Sequence, residues 1–123
     1  MKLLLDTHVL LWWLANDPKL SGDHRALVAD SSHAAYVSSV SIAEIAIKAS
    51  LGKLEAPEHV REAVLASGLS LLPFDAVHAE ELRELPWIHK DPFDRMLIAQ
   101  SRVEKLVLLT VDERITRYDV TVR

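Results

Sequence analysis

The stretch Leu3-Leu4-Leu5-Asp6-Thr7, residues 3–7, decides the fold class of this chain. A continuous apolar run before a helix is typical of a strand that is buried on both faces of a parallel sheet. Apolar residues continue to Ala15, and we predict a helix over Thr7–Ala15 that follows the strand directly. Asp6 therefore stands at the carboxyl end of the strand. In open parallel sheets, ligands bind in the crevice beyond these ends.

Strands and helices alternate along the rest of the sequence. Further strands are predicted at Ala35–Val40, Leu69–Phe74 and Leu106–Val111, with a last edge strand at Val120–Val122. Helices are predicted from Asp17-Pro18 to about Ala29, from Ile42 to Gly52, from Val60 to Gly68, from Asp75 to about Leu85, from Asp91-Pro92 onward, and over Asp112–Tyr118. This alternation predicts an α/β domain of three layers, with a central, mostly parallel sheet flanked by helices.

Composition limits the function classes that need to be considered. The chain has 123 residues, half of them hydrophobic, which fits a single domain, 1–123, with one core. Cysteine is absent, which excludes disulfides, thiolate chemistry and cysteine-based zinc sites. The formal net charge of −4 argues against a surface that is basic overall and binds nucleic acid non-specifically. A local basic rim around an acidic centre remains compatible with that charge.

The N-terminus resembles a signal peptide only briefly. Asp6 and His8 interrupt the apolar region of Met1–Ala15, and no convincing cleavage site follows. The uninterrupted apolar stretch Val9–Ala15 is far shorter than the roughly 20 residues that span a bilayer. We therefore expect no membrane segment. We expect a cytoplasmic protein, because the lack of disulfides suits a reducing compartment.

Four carboxylates fall where this fold would bring them together: Asp6, Glu44, Asp94 and Asp112. Asp6 and Asp112 close apolar strands, and Glu44 and Asp94 lie near the starts of predicted helices. Converging acids repel one another, so a divalent cation usually holds them. Oxygen ligands, without cysteine and without a pair of histidines at ligand spacing, suit Mg²⁺ or Mn²⁺. Such a site can polarise a phosphodiester and activate a water.

Each acid also has an ordinary structural explanation. Asp6 and Asp112 can cap helices, and Asp91 can cap the helix in which Asp94 favours the positive end. Ser41-Ile42-Ala43-Glu44 matches the capping box, in which Glu44 would reach back to the Ser41 amide. Glu44 and Lys48 can also form an ion pair within one helix. Spacing alone leaves the choice between caps and metal ligands open.

Several segments resemble the PIN domain and, more narrowly, the VapC-type toxins of bacterial toxin–antitoxin pairs. The resemblance lies in residues 3–7, in Glu44 within a serine-rich helix start, in residues 109–112, and above all in Asp91-Pro92-Phe93-Asp94-Arg95 and the helix that follows. It covers nearly the whole chain, and the segment from Asp91 to Arg95 is specific.

The resemblance implies a Mg²⁺- or Mn²⁺-dependent ribonuclease. Its catalytic and metal-binding acids match Asp6, Glu44, Asp94 and Asp112, with no departure at these four positions. It also implies an RNA substrate, a cognate antitoxin that blocks the site, and commonly a homodimer. Taken with the spacing of the acids, the resemblance favours ligands over caps.

Neighbouring polar residues are candidates for supporting roles. Thr7 and Thr110 each adjoin a proposed ligand, so their hydroxyls are expected to orient a carboxylate or to make turn hydrogen bonds. Arg95, together with His89 and Lys90, is a candidate contact to an RNA phosphate. The other five histidines show no ligand spacing, and we expect them to be surface or partly buried residues: His8, His24, His33, His59 and His78.

The first predicted helix is apolar around its whole circumference over Val9–Leu14. Such a helix is buried on every side. In a small domain it can complete that burial against another chain, where tryptophan is favoured. Trp12 and Trp13 therefore make a dimer or antitoxin surface a plausible alternative to core packing.

Other functions fit the sequence less well. A signalling receiver domain would phosphorylate an acid after the third strand, where Asp75 stands, but it needs a second acid beside Asp6 and a late lysine. Thr7 takes the first place, and no clear lysine takes the second. An aspartate-nucleophile phosphatase would need Asp-x-Asp, but Asp6 is followed by Thr7 and His8. The lack of a glycine-rich loop argues against a nucleotide-binding enzyme. A catalytically inactive PIN module that binds RNA or a protein remains the main alternative.

Overall fold

The computed structural model describes all residues, 1–123. Its centre is a four-stranded sheet in the order β3-β2-β1-β4 in which every pairing is parallel. The strands are β1 (Lys2–Leu5), β2 (Ala34–Ser38), β3 (Ser70–Leu72) and β4 (Val107–Leu109). The predicted α/β fold with a parallel central sheet is therefore confirmed.

Six α-helices surround the sheet: α1 (Thr7–Ala15), α2 (Gly22–Ala29), α3 (Ser39–Ser50), α4 (Val60–Ala66), α5 (Ala76–Glu81) and α6 (Pro92–Glu104). Short 3₁₀ turns follow at Leu82–Glu84 and Ile115–Arg117. None of these helices is long and apolar enough to cross a membrane.

Alternation along β1 divides the core into two layers. Leu3 and Leu5 pack into one apolar cluster with residues of α1, α2 and α4, whereas Leu4 packs into a second cluster with α6. All three leucines are fully buried. Because successive side chains of a strand point to opposite faces, a run of apolar residues is what a central strand between two helical layers requires.

Two predicted helix starts are wrong. Helix α2 begins at Gly22 with Ser21 as its N-cap, because Asp17 and Pro18 are used in a turn: the Asp17 carboxylate accepts from the Lys19 amide at 2.9 Å. Helix α3 begins at Ser39, because the Ser38 hydroxyl accepts from the Val40 amide at 3.0 Å. Ser41 consequently lies inside the helix, and the predicted capping box with Glu44 does not form.

The last segment is less regular than predicted. Asp112–Tyr118 contains only the 3₁₀ turn, and Val120–Val122 contributes one isolated bridge, from Val122 to Leu108, in place of an edge strand. Strands β3 and β4 are also shorter than the predicted Leu69–Phe74 and Leu106–Val111. The Asp6 amide donates to the Leu109 carbonyl at 3.0 Å, which fixes the chain after β1 beside the end of β4. Asp6 and Asp112 thus follow neighbouring strands at the same edge of the sheet.

Candidate metal centre

Each of the four acids is positioned by an element end or a helix turn at this edge. Asp6 is the N-cap of α1 and accepts from the Val9 amide at 2.8 Å. Glu44 lies in the second turn of α3. Asp94 lies in the first turn of α6, whose N-cap is Asp91, as predicted. Asp112 follows β4 after Thr110 and Val111.

Three side chains converge most closely, and we call them the outer cluster: His89, Asp94 and Asp112. One potential ligand atom from each lies within 4.8 Å of the others. Asp94 and Asp112 are partly buried and His89 is buried. The structure therefore brings two of the four predicted acids together, with a histidine that the sequence analysis considered only as a phosphate contact.

The other two acids, Asp6 and Glu44, which we call the inner acids, are not part of that close group. Both are almost fully buried, at 5% and 4% exposure. The Thr7 hydroxyl donates to Glu44 Oε1 at 2.6 Å and lies 3.1 Å from the Ser41 hydroxyl. Thr7 therefore holds a carboxylate, one of the two roles expected for it.

Thr110 connects the inner acids to the outer cluster. Its hydroxyl lies near enough to the Asp6 carboxylate to lower the pKa of that group, and it accepts from the Asp112 amide at 3.1 Å. Thr110 thus makes both the carboxylate contact and the turn contact that were expected. Thr110, which follows β4, therefore lies beside Asp6, which follows β1, so the inner acids and the outer cluster are neighbours.

Two cations neutralise part of the acidic charge. Lys48 Nζ lies 2.5 Å from Glu44 Oε2, which is the ion pair anticipated from the i, i+4 spacing. Arg114 binds Asp112 with both its Nε and its Nη2, at 3.1 and 2.7 Å. The Glu44 carboxylate raises the pKa of Lys48, to which Asp91 and Asp94 add at longer range. Lys48 therefore lies within the field of the outer cluster as well.

The two acids that have no lysine or arginine partner, Asp6 and Asp94, have raised pKa values. Burial raises the pKa of Asp6 despite hydrogen bonds from Thr110 and the Val9 amide. Burial also raises the pKa of Asp94, and the charges of Asp91 and Asp112 act in the same direction. By contrast, the hydrogen bonds from Arg114 lower the pKa of Asp112. Neither Asp6 nor Asp94 forms an ion pair with a lysine or an arginine, unlike Glu44 and Asp112.

The hydrogen bonds around Tyr118 assign the tautomer of His89. The Tyr118 hydroxyl accepts from the His89 amide at 3.2 Å and from Arg95 Nη1 at 3.0 Å, which uses both of its lone pairs. Its own proton goes to His89 Nδ1, 2.8 Å away, in preference to the His89 carbonyl oxygen at 3.5 Å. Nε2 then carries the ring hydrogen and donates to Asp94 Oδ2 at 3.1 Å. His89 in this state orients Asp94.

Arg95 lies in a different environment from the one expected of a phosphate contact. It is only 4% exposed, and its guanidinium donates to the carbonyls of Leu85, Pro86 and His89. These bonds hold the segment before α6 in place, so Arg95 fixes His89 instead of facing solvent. Lys90, the other candidate phosphate contact, is exposed.

His89 is the residue that sequence reasoning underestimated. Its distance of five positions from Asp94 matches no metal-binding spacing, and its second partner, Tyr118, lies 29 positions away. The only available signal was its place between Pro86 and the Asp91-Pro92 helix start. That place marks a short, constrained loop leading to an acid.

The PIN domain family model matches residues 3–120 of this chain. The chain belongs to the PIN domain family. The resemblance to the PIN domain found in the sequence is therefore confirmed. The sheet order also separates this PIN domain from a receiver domain, in which β1 lies between β2 and β3. Here β1 lies between β2 and β4, and Asp75 is an exposed helix cap beyond the edge strand β3.

Solved structures with the same fold include toxin–antitoxin complexes. A VapBC complex from Rickettsia felis bound to a fragment of its promoter DNA matches with a TM-score of 0.74 at 16% identity, covering 100% of this chain and 98% of that chain. DNA-bound VapBC from Salmonella typhimurium matches with a TM-score of 0.73 at 21% identity, covering 100% and 97%.

A member of the VapBC family of toxin–antitoxin systems from Mycobacterium tuberculosis gives a TM-score of 0.60 at 18% identity, with coverage of 99% of this chain and 95% of that chain. At these identities the likeness establishes a shared fold. Among curated proteins, none matches this PIN domain.

Proposed function

We propose that this PIN domain is a divalent-metal-dependent endoribonuclease and the toxin of a type II toxin–antitoxin pair. The observation that carries the proposal is the convergence of Asp94 and Asp112 with His89, joined through Thr110 to Asp6. Carboxylates that converge with too little positive charge favour a bound cation. Membership of the PIN family supports nuclease activity, and the fold shared with VapBC complexes supports the toxin role.

The donor set fits Mg²⁺ or Mn²⁺. Asp94 and Asp112 would hold the ion, with Asp6 and Glu44 completing the acidic site. Oxygen ligands of Mg²⁺ lie about 2.1 Å from the ion, so donor atoms already within 4.8 Å of one another need only small rotations to share one. When bound, the ion supplies Lewis-acid polarisation of a phosphodiester and stabilises the charge on its leaving oxygen.

The protein's own residues set the orientation of these carboxylates. His89 donates to Asp94 and is itself fixed by Tyr118, which is the kind of support that metal-binding carboxylates usually have. Thr7 and Thr110 do the same for Glu44 and Asp6. Lys48 and Arg114 reduce the repulsion among the acids when no ion is bound. In this proposal the side chains hold the acids still, and burial keeps water from screening their charge.

The decisive experiment is incubation of the purified protein with mixed RNAs in the presence of Mg²⁺, of Mn²⁺ and of a chelator. Cleavage should depend on the added metal and disappear with the chelator. Robust cleavage in chelator would contradict the metal mechanism. No cleavage under any condition, with RNA still bound, would favour the alternative of an inactive module that binds RNA or a protein.

The toxin role requires a test in cells. Expression of the protein alone should arrest bacterial growth, and co-expression of a small antitoxin encoded beside it should restore growth. The double variant Asp6→Asn, Asp94→Asn should be harmless if the ribonuclease site causes the arrest. Arrest that persists undiminished in this variant would mean that the toxicity, if real, has another origin.

We further propose a homodimer that uses helix α1. Trp12 and Trp13 are only half-buried, although both pack against the core. The helix therefore keeps apolar surface that a second copy or the antitoxin would cover. Sedimentation of the wild type and of Trp13→Glu would test this: the variant should be monomeric, and an unchanged mass would exclude α1 from the dimer interface.

A further inference from the structure

Trp87 is the most exposed large apolar side chain of the protein. Its exposure is 77%, compared with 62% for Leu51, the next in order. Single exposed apolar residues are common and usually need no explanation. An indole is different, because it has a large apolar face and tryptophan is enriched where proteins bind partners or bases.

The ring of Trp87 is held on one face. The guanidinium carbon of Arg95 lies 3.8 Å from the ring centroid. Arg95 is itself held by hydrogen bonds that its guanidinium donates to the carbonyls of Leu85 and Pro86 and to the Tyr118 hydroxyl. A cation–π contact to an immobile guanidinium restrains the ring before any ligand arrives. The opposite face is free, so the indole is a preorganised flat surface.

This surface belongs to the same short segment that supplies the metal centre. Trp87 lies two residues before His89, so the Cα atoms of these residues are at most about 7 Å apart. Arg95, beneath the ring, directly follows Asp94 in α6 and also donates to the His89 carbonyl at 3.4 Å. Lys90, exposed on the same segment, offers a positive charge to a phosphate. A nucleic-acid strand with a phosphate at the outer cluster would therefore have a neighbouring base near the indole.

We propose that Trp87 stacks against an unpaired base of the strand that is bound at the metal centre, beside the position of cleavage. This inference rests on the proposed nuclease function and deepens it by assigning Trp87 as a residue that contacts the substrate, at an unpaired base in a single strand or a loop. Every base has a flat face, so stacking recognises an unpaired strand without selecting a sequence. A base within a duplex is already stacked on its neighbours and would not use this surface.

Binding can be measured apart from Mn²⁺-driven cleavage by replacing Mn²⁺ with Ca²⁺, which takes the same oxygen ligands in a looser geometry and still offsets the charge of the acids. Fluorescence anisotropy with a labelled, short, unstructured RNA compares the wild type with Trp87→Leu, which keeps an apolar cover over Arg95 but has no ring. Loss of one base stack should weaken binding at least about fivefold. Trp87→Phe keeps a ring and should lie much closer to the wild type. Val77→Ala, which truncates another exposed apolar residue, should bind like the wild type.

Two further measurements separate stacking from other effects. The RNA should quench tryptophan fluorescence in the wild type, and this quenching should be lost in both Trp87 variants. The fully paired duplex of the same sequence should bind the wild type and Trp87→Leu equally. Melting curves should show that Trp87→Leu is folded.

Failure of this inference is distinguishable from failure of the ribonuclease proposal. If the wild type cleaves RNA with Mn²⁺ but Trp87→Leu binds single-stranded RNA as tightly as the wild type, the stacking role is wrong and the ribonuclease role stands. Unchanged RNA affinity together with weakened antitoxin binding would make Trp87 a protein contact. Equal loss of single-stranded and duplex binding would also overturn the stacking role.

Discussion

The two sides of the candidate metal centre are built differently. The inner acids, Asp6 and Glu44, are almost completely buried; the Thr7 hydroxyl donates to Glu44, and the Val9 amide donates to Asp6. The outer cluster is more open, and its donor atoms converge. On each side, one acid has a cation and one has none: Lys48 pairs with Glu44 and Arg114 pairs with Asp112. The two acids that lack a cation, one on each side, are the ones whose pKa values are raised.

This division suggests where a divalent ion would act. An ion placed between the two sides would supply the positive charge that Asp6 and Asp94 lack. The inner acids would then form the buried side of the site, and a phosphodiester would reach the ion from the more exposed side, at the outer cluster.

Asp94→Asn should abolish most RNA cleavage. Metal-based charge stabilisation is worth several kcal/mol, and a loss of about 4 kcal/mol reduces the rate about a thousandfold. The matched control is Asp91→Asn, three residues earlier on the same helix, because Asp91 is the N-cap of α6 and asparagine caps about as well as aspartate. Initial cleavage rates with Mn²⁺ should be close to the wild type for Asp91→Asn. Equal losses in the two variants would mean that Asp94 is not a specific ligand.

Tyr118→Phe should reduce cleavage or Mn²⁺ affinity by about 10–100-fold, which is typical for residues that orient metal ligands. Without the hydroxyl, Nδ1 of His89 loses its donor, so Nε2 need not carry the hydrogen that orients Asp94. Rates should be compared below the melting temperature, since Arg95 also loses a hydrogen-bond acceptor. Tyr36→Phe, at the protein's other tyrosine, which is partly buried, is the control. If both variants cleave like the wild type, His89 does not depend on Tyr118.

Much of this architecture could be predicted from the sequence, for a physical reason. The residues of β1 from Leu3 to Leu5 are all apolar, so both faces of the strand need a covering layer. Acids that directly follow parallel strands must lie at one edge of the sheet. The positions of Asp6 and Asp112 at this edge could therefore be predicted from the sequence pattern. The start of α3 was not, because Ser38, Ser39 and Ser41 are all suitable caps, and only the end of β2 at Ser38 chooses among them.

The roles of His89 and Arg95 could not be predicted because they depend on residues far along the chain. Arginine is usually exposed, yet the carbonyls of the segment before α6 and the hydroxyl of Tyr118 give Arg95 enough acceptors for burial. Tyr118 also decides the tautomer of His89. Such a network has no fixed spacing in the sequence, so it becomes visible only in three dimensions.

Asp6→Asn should stabilise the metal-free protein by about 1 kcal/mol, an effect of ordinary size for one substitution but opposite in sign to most of them. Asparagine keeps the N-cap of α1. Because burial raises the folded-state pKa of Asp6 above the unfolded value of 3.8, ionisation of Asp6 destabilises the fold. This penalty is absent below 3.8 and complete above the folded-state pKa. The advantage of the variant should therefore grow as the pH rises through this window, in urea melts with chelator present.

The same variant should gain less from metal. Ligand binding stabilises a fold as RT ln(1 + [L]/Kd), so a weaker site gives a smaller rise in melting temperature with Mn²⁺. A Mn²⁺ shift equal to that of the wild type would make Asp6 a cap alone. An advantage that does not change with pH would show that the charge of Asp6 is not the source of the stabilisation.

Lys48→Met should have the smallest effect, with opposite signs in the two states of the site. In the metal-free protein, Lys48 offsets the charge of Glu44 and lies in the field of Asp91 and Asp94. The Lys48 side chain is 38% exposed, so solvent screens the pair and its loss should cost only about 0.5 kcal/mol. With Mn²⁺, the same lysine repels the ion and occupies a carboxylate oxygen. Its removal should then enlarge the stabilisation by metal, even though the metal-free protein melts earlier.

Lys53→Met is the matched control for that variant. Lys53 is an exposed lysine just beyond the end of α3 and has no carboxylate partner, so its replacement removes the same charge without breaking an ion pair. Melting curves of both variants with and without Mn²⁺ measure the two effects together. A lower metal-free melting temperature with a larger Mn²⁺ shift in Lys48→Met alone would show that Lys48 competes with the ion for the inner acids. If Lys48→Met loses stability equally with and without Mn²⁺, the pair with Glu44 is only a helix-surface ion pair, and the inner side does not share its charge with the metal centre.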